Sequence, residues 1–361
     1  MKLDEILARL AVMPEAERDA VTKDALAVTQ GMQWVPSPGP QTAAYFSEAD
    51  ILLFGGSPGG GKTALILGLA FNLHQRSLIM RRQYTDISAI TEEALKINGS
   101  RRGFNGSPPP SLRVIKDKLI EFGAAIRVGD EQHWQGNPHD FIGFDEGTQF
   151  AESQIRFLLG WLLSTVPGQR KRVVFATNPP LSSEGVWVLE MFAPWLDPRH
   201  PNPAQEGELR WYVTDEYGKD REVDGPQPVL IAGKEVQPLS RTYIHSTVQD
   251  NPYLAGTDYQ KQLDNMGEPY RSLLLGGFRA AFRDAPNQCI PTEWVRQAQR
   301  RWTEHPRAGV PMCAIGVDVA QGGEAETVLA PRYDGWYAPL TTEPGRNTPL
   351  GKDVAGLVIA H

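Results

Sequence analysis

Cysteine is scarce: Cys289 and Cys313 are the only two in 361 residues. Two isolated thiols exclude a disulfide framework and a thiolate zinc site, and they suit a reducing compartment. No uninterrupted apolar run approaches the roughly 18–20 residues of a membrane-spanning helix. The opening MKLDEILARLAVMPEAERDA carries acids where a signal peptide needs a bare apolar stretch. Basic charge is not in excess either, because 36 Lys and Arg against 43 Asp and Glu leave a net charge of −7. A long-range positive field is thereby excluded as the means of attracting nucleic acid, so any such contact must be a local patch. The expectation is a soluble, unexported, cytoplasmic chain with no membrane partner.

What is present suffices for two cores: 361 residues, 41% of them hydrophobic. Residues 1–36 read as an N-terminal arm of amphipathic helices split at Pro14. From Ile51 short apolar runs alternate with helical patterns: ILLF (51–54), SLIM (77–80), FIGF (141–144) and VVFA (173–176). Continuous runs of this kind suit strands covered on both faces, which predicts an α/β fold with a mainly parallel central sheet over 37–240. RVIKDKLIEF and AAIRVGD, separated by Gly123, read as a hairpin against that sheet. Residues 180–240, rich in Pro, Gly and charge, read as loops and a small excursion. A linker or helical subdomain over 241–305 contains the turn-like DNPYLAG, and CAIGVDVA at 313–320 opens a second sheet in a domain over 306–361.

The sharpest local signal is Gly56-Ser57-Pro58-Gly59-Gly60-Gly61-Lys62-Thr63, which fits G-x-x-x-x-G-K-[ST] between a strand and a helix. Small residues are needed there because successive backbone N–H groups must turn inward around a phosphate, where a Cβ would obstruct them. The helix start at TALILGLAFNLH adds partial positive charge at the same point. Lys62 would reach the β- and γ-phosphates of ATP, and the Thr63 hydroxyl would hold Mg²⁺. The alternatives are a glycine-rich turn followed by a chance lysine, and a dinucleotide fingerprint at Gly59-x-Gly61-x-x-Ala64. The fingerprint lacks an acid after a second strand, where Arg81 and Arg82 stand instead.

FIGFDE supplies Asp145 to orient Mg²⁺ and Glu146 to polarise an attacking water, unless the two are first-turn acids of the next helix. Ala176-Thr177-Asn178-Pro179 follows the next strand. A short polar residue there can sense a γ-phosphate, or the tetrapeptide is an ordinary Asx turn. Gln41, fifteen residues before Gly56, is a candidate reader of the adenine edge, the alternative being a solvated glutamine.

In order, GGSPGGGKT, SLIMRRQY, FIGFDEGTQF, VVFATNPP, DNPYLAGTDYQKQLDNMGEPYRSLLLGGF and IGVDVAQGGEAET resemble the large terminase subunit of tailed bacteriophages over about residues 40–330. The resemblance implies an ATP-driven motor that translocates double-stranded DNA into a procapsid in the bacterial host cytoplasm. It implies Thr177 and Asn178 as the motif coupling hydrolysis to movement. The implied partners are the portal, the small terminase subunit and further copies in a ring. It also implies an RNase H-like nuclease domain with Asp318 as its first metal-binding acid and two divalent ions, Mg²⁺ or Mn²⁺.

Two departures accompany the resemblance. Ser57 and Pro58 stand where many members carry an arginine in the glycine loop. A transition-state arginine would then come from a neighbouring subunit, with Arg81, Arg82, Arg101, Arg102 and Arg127 as unranked candidates. In the second domain Ala325 stands where a further aspartate is expected, with Glu324 and Glu326 beside it. No strand follows GKDVAGLVIAH to carry the next acid, so the expectation is an incomplete nuclease domain without metal-dependent DNA cleavage. RRQY, RRGF, GQRKR and RQAQRRW are candidate phosphate-gripping patches, each equally readable as a solvated face. A helicase- or recombinase-type ATPase, and an ATP-binding subunit that docks on a portal without turnover, are the competing functions.

Overall fold

The computed structural model describes residues 13–360 apart from 115–116, 182, 217, 268–270, 272–273, 276, 279–294, 296–297, 300, 304, 306–307 and 323. The first expected arm helix and Cys289 lie outside the described residues. The chain divides into two compact units, Met1–Arg283 and Asp284–His361.

The first unit begins with α1 (Glu15–Thr29) and α2 (Pro40–Phe46), followed by β1 (Ile51–Gly56), α3 (Lys62–Asn72), β2 (Arg76–Arg81) and α4 (Ile87–Asn98). Next come β3 (Phe104–Asn105), β4 (Ser111–Val114), β5 (Lys118–Ala124), β6 (Phe141–Asp145), α5 (Glu152–Leu159) and β7 (Arg172–Thr177). The remainder includes α6 (Trp187–Met191), α7 (Ala193–Leu196), β8 (Arg210–Thr214), β9 (Asp220–Val223), the small hairpin β10 (Val229–Ile231) and β11 (Lys234–Val236), β12 (Leu239–Ser246) and α8 (Tyr259–Asp264). Ten strands form one sheet in the order β3-β4-β5-β2-β6-β7-β1-β12-β8-β9. From β5 to β12 every neighbouring pair is parallel, and antiparallel strands extend both ends.

The apolar runs form strands because both faces of the sheet are covered. All residues of β1, β6 and β7 are buried. Leu52, Phe54, Leu65, Ile79 and Val174 pack on one face, while Leu53, Leu78, Phe144, Phe175 and Trp187 pack on the other. Lys118 at the start of β5 donates to the carbonyls of Phe71 and Asn72 at 2.8 and 2.7 Å, which satisfies acceptors at the end of α3. Arg172, fully buried at the start of β7, donates to the carbonyls of Tyr45 and Ala44 and so fixes the last turn of α2. Burial pulls its guanidinium down to about 9, still charged near neutrality.

Three expectations need correction. β4 and β5 pair antiparallel up to Val114↔Lys118, so the hairpin closes between those strands and not at Gly123. Gly123 lies inside β5, where a Cβ would stand 2.2 Å from the Trp134 ring; the glycine serves close packing. Residues 180–240 contain α6, α7 and four strands, two of which extend the main sheet. The expected boundary at residue 240 falls within β12, which pairs in parallel with β1 from Ile51↔Arg241 to Gly56↔Ser246.

The second unit contains β13 (Ala314–Asp318), β14 (Glu326–Tyr333), β15 (Trp336–Tyr337), β16 (Thr341–Pro344) and α9 (Gly351–Ala360). β14 pairs antiparallel with the other three strands.

Candidate functional site

β1 ends in Gly55 and Gly56, the chain loops through Ser57–Gly61, and α3 starts at Lys62. Gly61 caps α3 with φ +74°, in the left-handed region that glycine enters without strain. The strands on either side of β1 brace the loop. On the β12 side, Ser57 N donates to the Ser246 carbonyl at 3.1 Å, and Asn251 Nδ2 donates to the Gly59 carbonyl at 2.7 Å. On the β7 side a Cβ on Gly55 would lie 1.9 Å from the Thr177 carbonyl oxygen, so only glycine permits this approach.

Gln41, 7% exposed, accepts from Ser37 N at 2.6 Å and donates to the Gly61 carbonyl at 2.9 Å. The amide expected to read adenine is here a brace of the loop. Lys62 lies back over the loop and donates to the Ser57 carbonyl at 2.6 Å. Burial lowers the pKa of its ammonium, opposed by Glu146 and Asp145.

β7 lies between β1 and β6, so Thr177 and Asn178 at its end stand between the loop and the two acids. Asp145 closes β6 and is 1% exposed. Its two carboxylate oxygens accept from the Thr63 hydroxyl at 3.2 Å each, and Oδ2 accepts from Arg81 Nε and Nη at 2.8 and 2.6 Å. Burial pushes the Asp145 carboxyl up, and Arg81 and Thr63 hold it back.

Glu146 follows with φ +56°, a left-handed conformation uncommon outside glycine. The helix α5 begins only at Glu152, so these acids are not its first turn. Burial raises the Glu146 pKa and the neighbouring Asp145 charge adds to the rise, against Lys62 and Arg81. Asn178 Nδ2 donates to Glu146 Oε1 and Oε2 at 3.3 and 3.5 Å. Thr177 Oγ1 is locked to Thr148, with 2.9 Å between hydroxyls and 3.2 Å to the Thr148 N–H.

Two buried polar atoms here have no partner: Asn178 Oδ1 and Ser246 Oγ, the latter 2.5 Å from where a Gly60 Cβ would be. Orphaned acceptors of this kind fit a site completed by solvent or ligand. A threonine hydroxyl and a carboxylate in contact form a hard-oxygen donor set, which fits Mg²⁺. Among the expected site residues, Gly56–Thr63, Gln41, Asp145, Glu146, Thr177 and Asn178 are brought together. Asp318 belongs to the second unit, where it ends β13 in an exposed position. Among the described residues no three His, Cys, Asp or Glu side chains gather in a metal-binding group.

Sequence reasoning missed three contributors. Arg81 was legible as the residue after SLIM, but not as the partner of Asp145. Ser246 and Asn251 carried no signal beyond their turn-forming neighbourhood, because their role comes from β12 pairing with β1. Of the arginine candidates, Arg81 is paired within the chain, and Arg82 donates to the Gln149 carbonyl and Gln154 Oε1, both at 3.0 Å. Arg101, Arg102 and Arg127 are exposed.

No protein-family model and no curated protein matches this chain. Among solved structures it is similar to the large terminase from a thermophilic bacteriophage in complex with ADP, at 15% identity and a TM-score of 0.42, over 90% of this chain and 73% of that one. It is also similar to the Thermus phage P74-26 large terminase ATPase domain, at 12% identity and 0.40, over 68% and 94%. The large terminase of bacteriophage HK97 is similar at 12% identity and 0.37, over 81% and 59%.

Proposed function

We propose that this chain is an ATP-hydrolysing motor subunit of a viral terminase, which translocates double-stranded DNA into procapsids. The observation that carries the ATPase reading is the convergence of Lys62, Thr63, Asp145 and Glu146 at the mouth of the glycine loop, with Asn178 on Glu146. DNA, the portal of the procapsid, the small terminase subunit and a homo-oligomeric ring are the proposed partners, on the sequence resemblance alone.

The loop amides and the start of α3 bind the phosphates of ATP. Lys62 exchanges the Ser57 carbonyl for phosphate oxygens, a stronger, charge-assisted bond. Thr63 and Asp145 would hold and orient Mg²⁺, which would supply neutralisation of the phosphate charge. Glu146 takes a proton from the attacking water, a task suited to a carboxyl whose burial has raised its proton affinity. Asn178 positions Glu146 through Nδ2, and its unpartnered Oδ1 is free to accept from the same water. Because Asn178 follows the strand that abuts the loop at Gly55, displacement of the amide is passed to β7, the coupling role proposed for Thr177 and Asn178.

Metal-dependent DNA cleavage is proposed to be absent from this chain, since two-metal chemistry needs several converging carboxylates and, among the described residues, no group of three metal-binding side chains includes Asp318. Plasmid incubated with purified protein and Mn²⁺ should stay uncut. The motor reading is tested by ATP hydrolysis with and without procapsids. Turnover abolished by Glu146→Gln and stimulated by procapsids supports the motor; unwinding of a tailed duplex without procapsids would point to a helicase.

A further inference from the structure

Both guanidinium donors that Arg81 gives to Asp145 land on Oδ2. Oδ2 thus carries two charge-assisted donors besides the Thr63 hydroxyl it shares with Oδ1, so a divalent cation at Thr63 and Arg81 compete for the charge of the same carboxylate. Arg81 has a second acid within reach. Its other Nη stands 3.9 Å from Asp86 Oδ2, an ion pair too long to be a hydrogen bond. Asp86 ends the turn Tyr84–Asp86 and is the residue before α4. The two partners differ in environment: the Asp145 side chain is 1% exposed and that of Asp86 41%. Arg81, at 21%, lies between them.

We propose that Arg81 is a cation-exchange switch of the nucleotide site. It neutralises Asp145 while no metal is bound. When a divalent cation takes Asp145, it transfers to Asp86, closing the long pair and fixing the start of α4. Losing a buried partner leaves the guanidinium uncompensated unless a second acid receives it, and Asp86 is the acid already within ion-pair range. Metal occupancy is thereby reported to residues 84–98 without any contact between that segment and the nucleotide. The inference rests on the proposed nucleotide site.

The experiment is a Mn²⁺ titration of the full chain in the presence of ADP at about pH 8, above the carboxylate range, with free Mn²⁺ read by paramagnetic resonance. Four chains are compared: wild type, Arg81→Gln, Asp86→Asn and the double variant. Exchange predicts that Arg81→Gln lowers the half-saturating Mn²⁺ concentration roughly fivefold, and that Asp86→Asn raises it by a similar factor only when Arg81 is present. If Asp86 acted merely through its negative field, its removal would shift the titration equally in both backgrounds; that result, or no tightening in Arg81→Gln, overturns the switch. Should Arg81→Gln fail to fold, Arg81→Lys serves in its place, keeping the charge but losing the fork, and must show a reduced Asp86 effect. ADP binding by the wild type in EDTA separates the two levels. Absence of ADP binding in both EDTA and Mn²⁺ removes the nucleotide site and the switch together, whereas retained binding with additive Mn²⁺ shifts removes the switch alone.

Discussion

Glu146 trades stability for chemistry, and does so measurably. Its folded-state pKa is raised, so the protonated form is favoured by folding and the ionised form is penalised. That contribution is fully present below the ordinary glutamate range and is lost as pH rises through the raised folded value. Glu146→Gln, a neutral isostere, should therefore melt higher than wild type near neutrality. The difference should shrink as pH falls through that window and vanish below it, as followed by thermal melts of the ligand-free chains. The same variant should lose at least about a hundredfold in ATP turnover, the usual scale of a lost general base. Wild-type turnover should in turn fall on the acid side at a pH above the ordinary glutamate value. Lys62→Ala acts on binding: loss of a charge-assisted bond to phosphate should weaken ADP roughly ten- to a hundredfold by equilibrium titration. That these residues come together was legible because their motif is local. Lys62 and Thr63 follow the glycines directly, and Asp145 and Glu146 follow a strand-like run.

At the scale of elements, legibility ends where contacts become non-local. The runs 51–54, 77–80, 141–144 and 173–176 all fall within strands of the sheet, since burial on both faces leaves a continuous apolar signature. β12 was missed because LSRTYIHS is mostly polar although most of it is buried, with Arg241 satisfied by Asp220 at 2.7 Å. No local pattern announces a buried arginine whose partner is 21 residues away. The insertion of β7 between β1 and β6 is likewise invisible in sequence, although it is what brings Asn178 to Glu146. The tightest point of that insertion is Gly55. Gly55→Ala should cost about 3 kcal/mol, the upper range of overpacking, because its Cβ meets the Thr177 carbonyl, which is main chain and cannot rotate aside. Denaturant unfolding of the two chains measures it, and a loss below about 1 kcal/mol would contradict the close approach.

For the whole molecule, the proposed ATPase raises the question of which positive charge completes the site. Arg81 and Arg82 are engaged within the chain, and the glycine loop carries Ser57 and Pro58 where an arginine would act in place. Arg101, Arg102 and Arg127 are exposed, and Arg101 stacks over Phe104 at 5.1 Å. Exposed arginines are available to a neighbouring copy, and an arginine supplied in trans is worth about 10³–10⁵ in rate. A chain with a net charge of −7 repels its own copies at long range, so assembly must be driven by local contacts or by a scaffold. Turnover per subunit should accordingly rise with protein concentration. Mixing gives the sharper measurement. Glu146→Gln subunits lack the base but present their arginines, while subunits altered at Arg101, Arg102 and Arg127 keep the base. Each preparation alone should be nearly inactive, and an equimolar mixture should recover a substantial part of wild-type turnover at high concentration. Recovery that follows restoration of one arginine at a time identifies the donor; no recovery at any concentration assigns the missing charge to the same subunit.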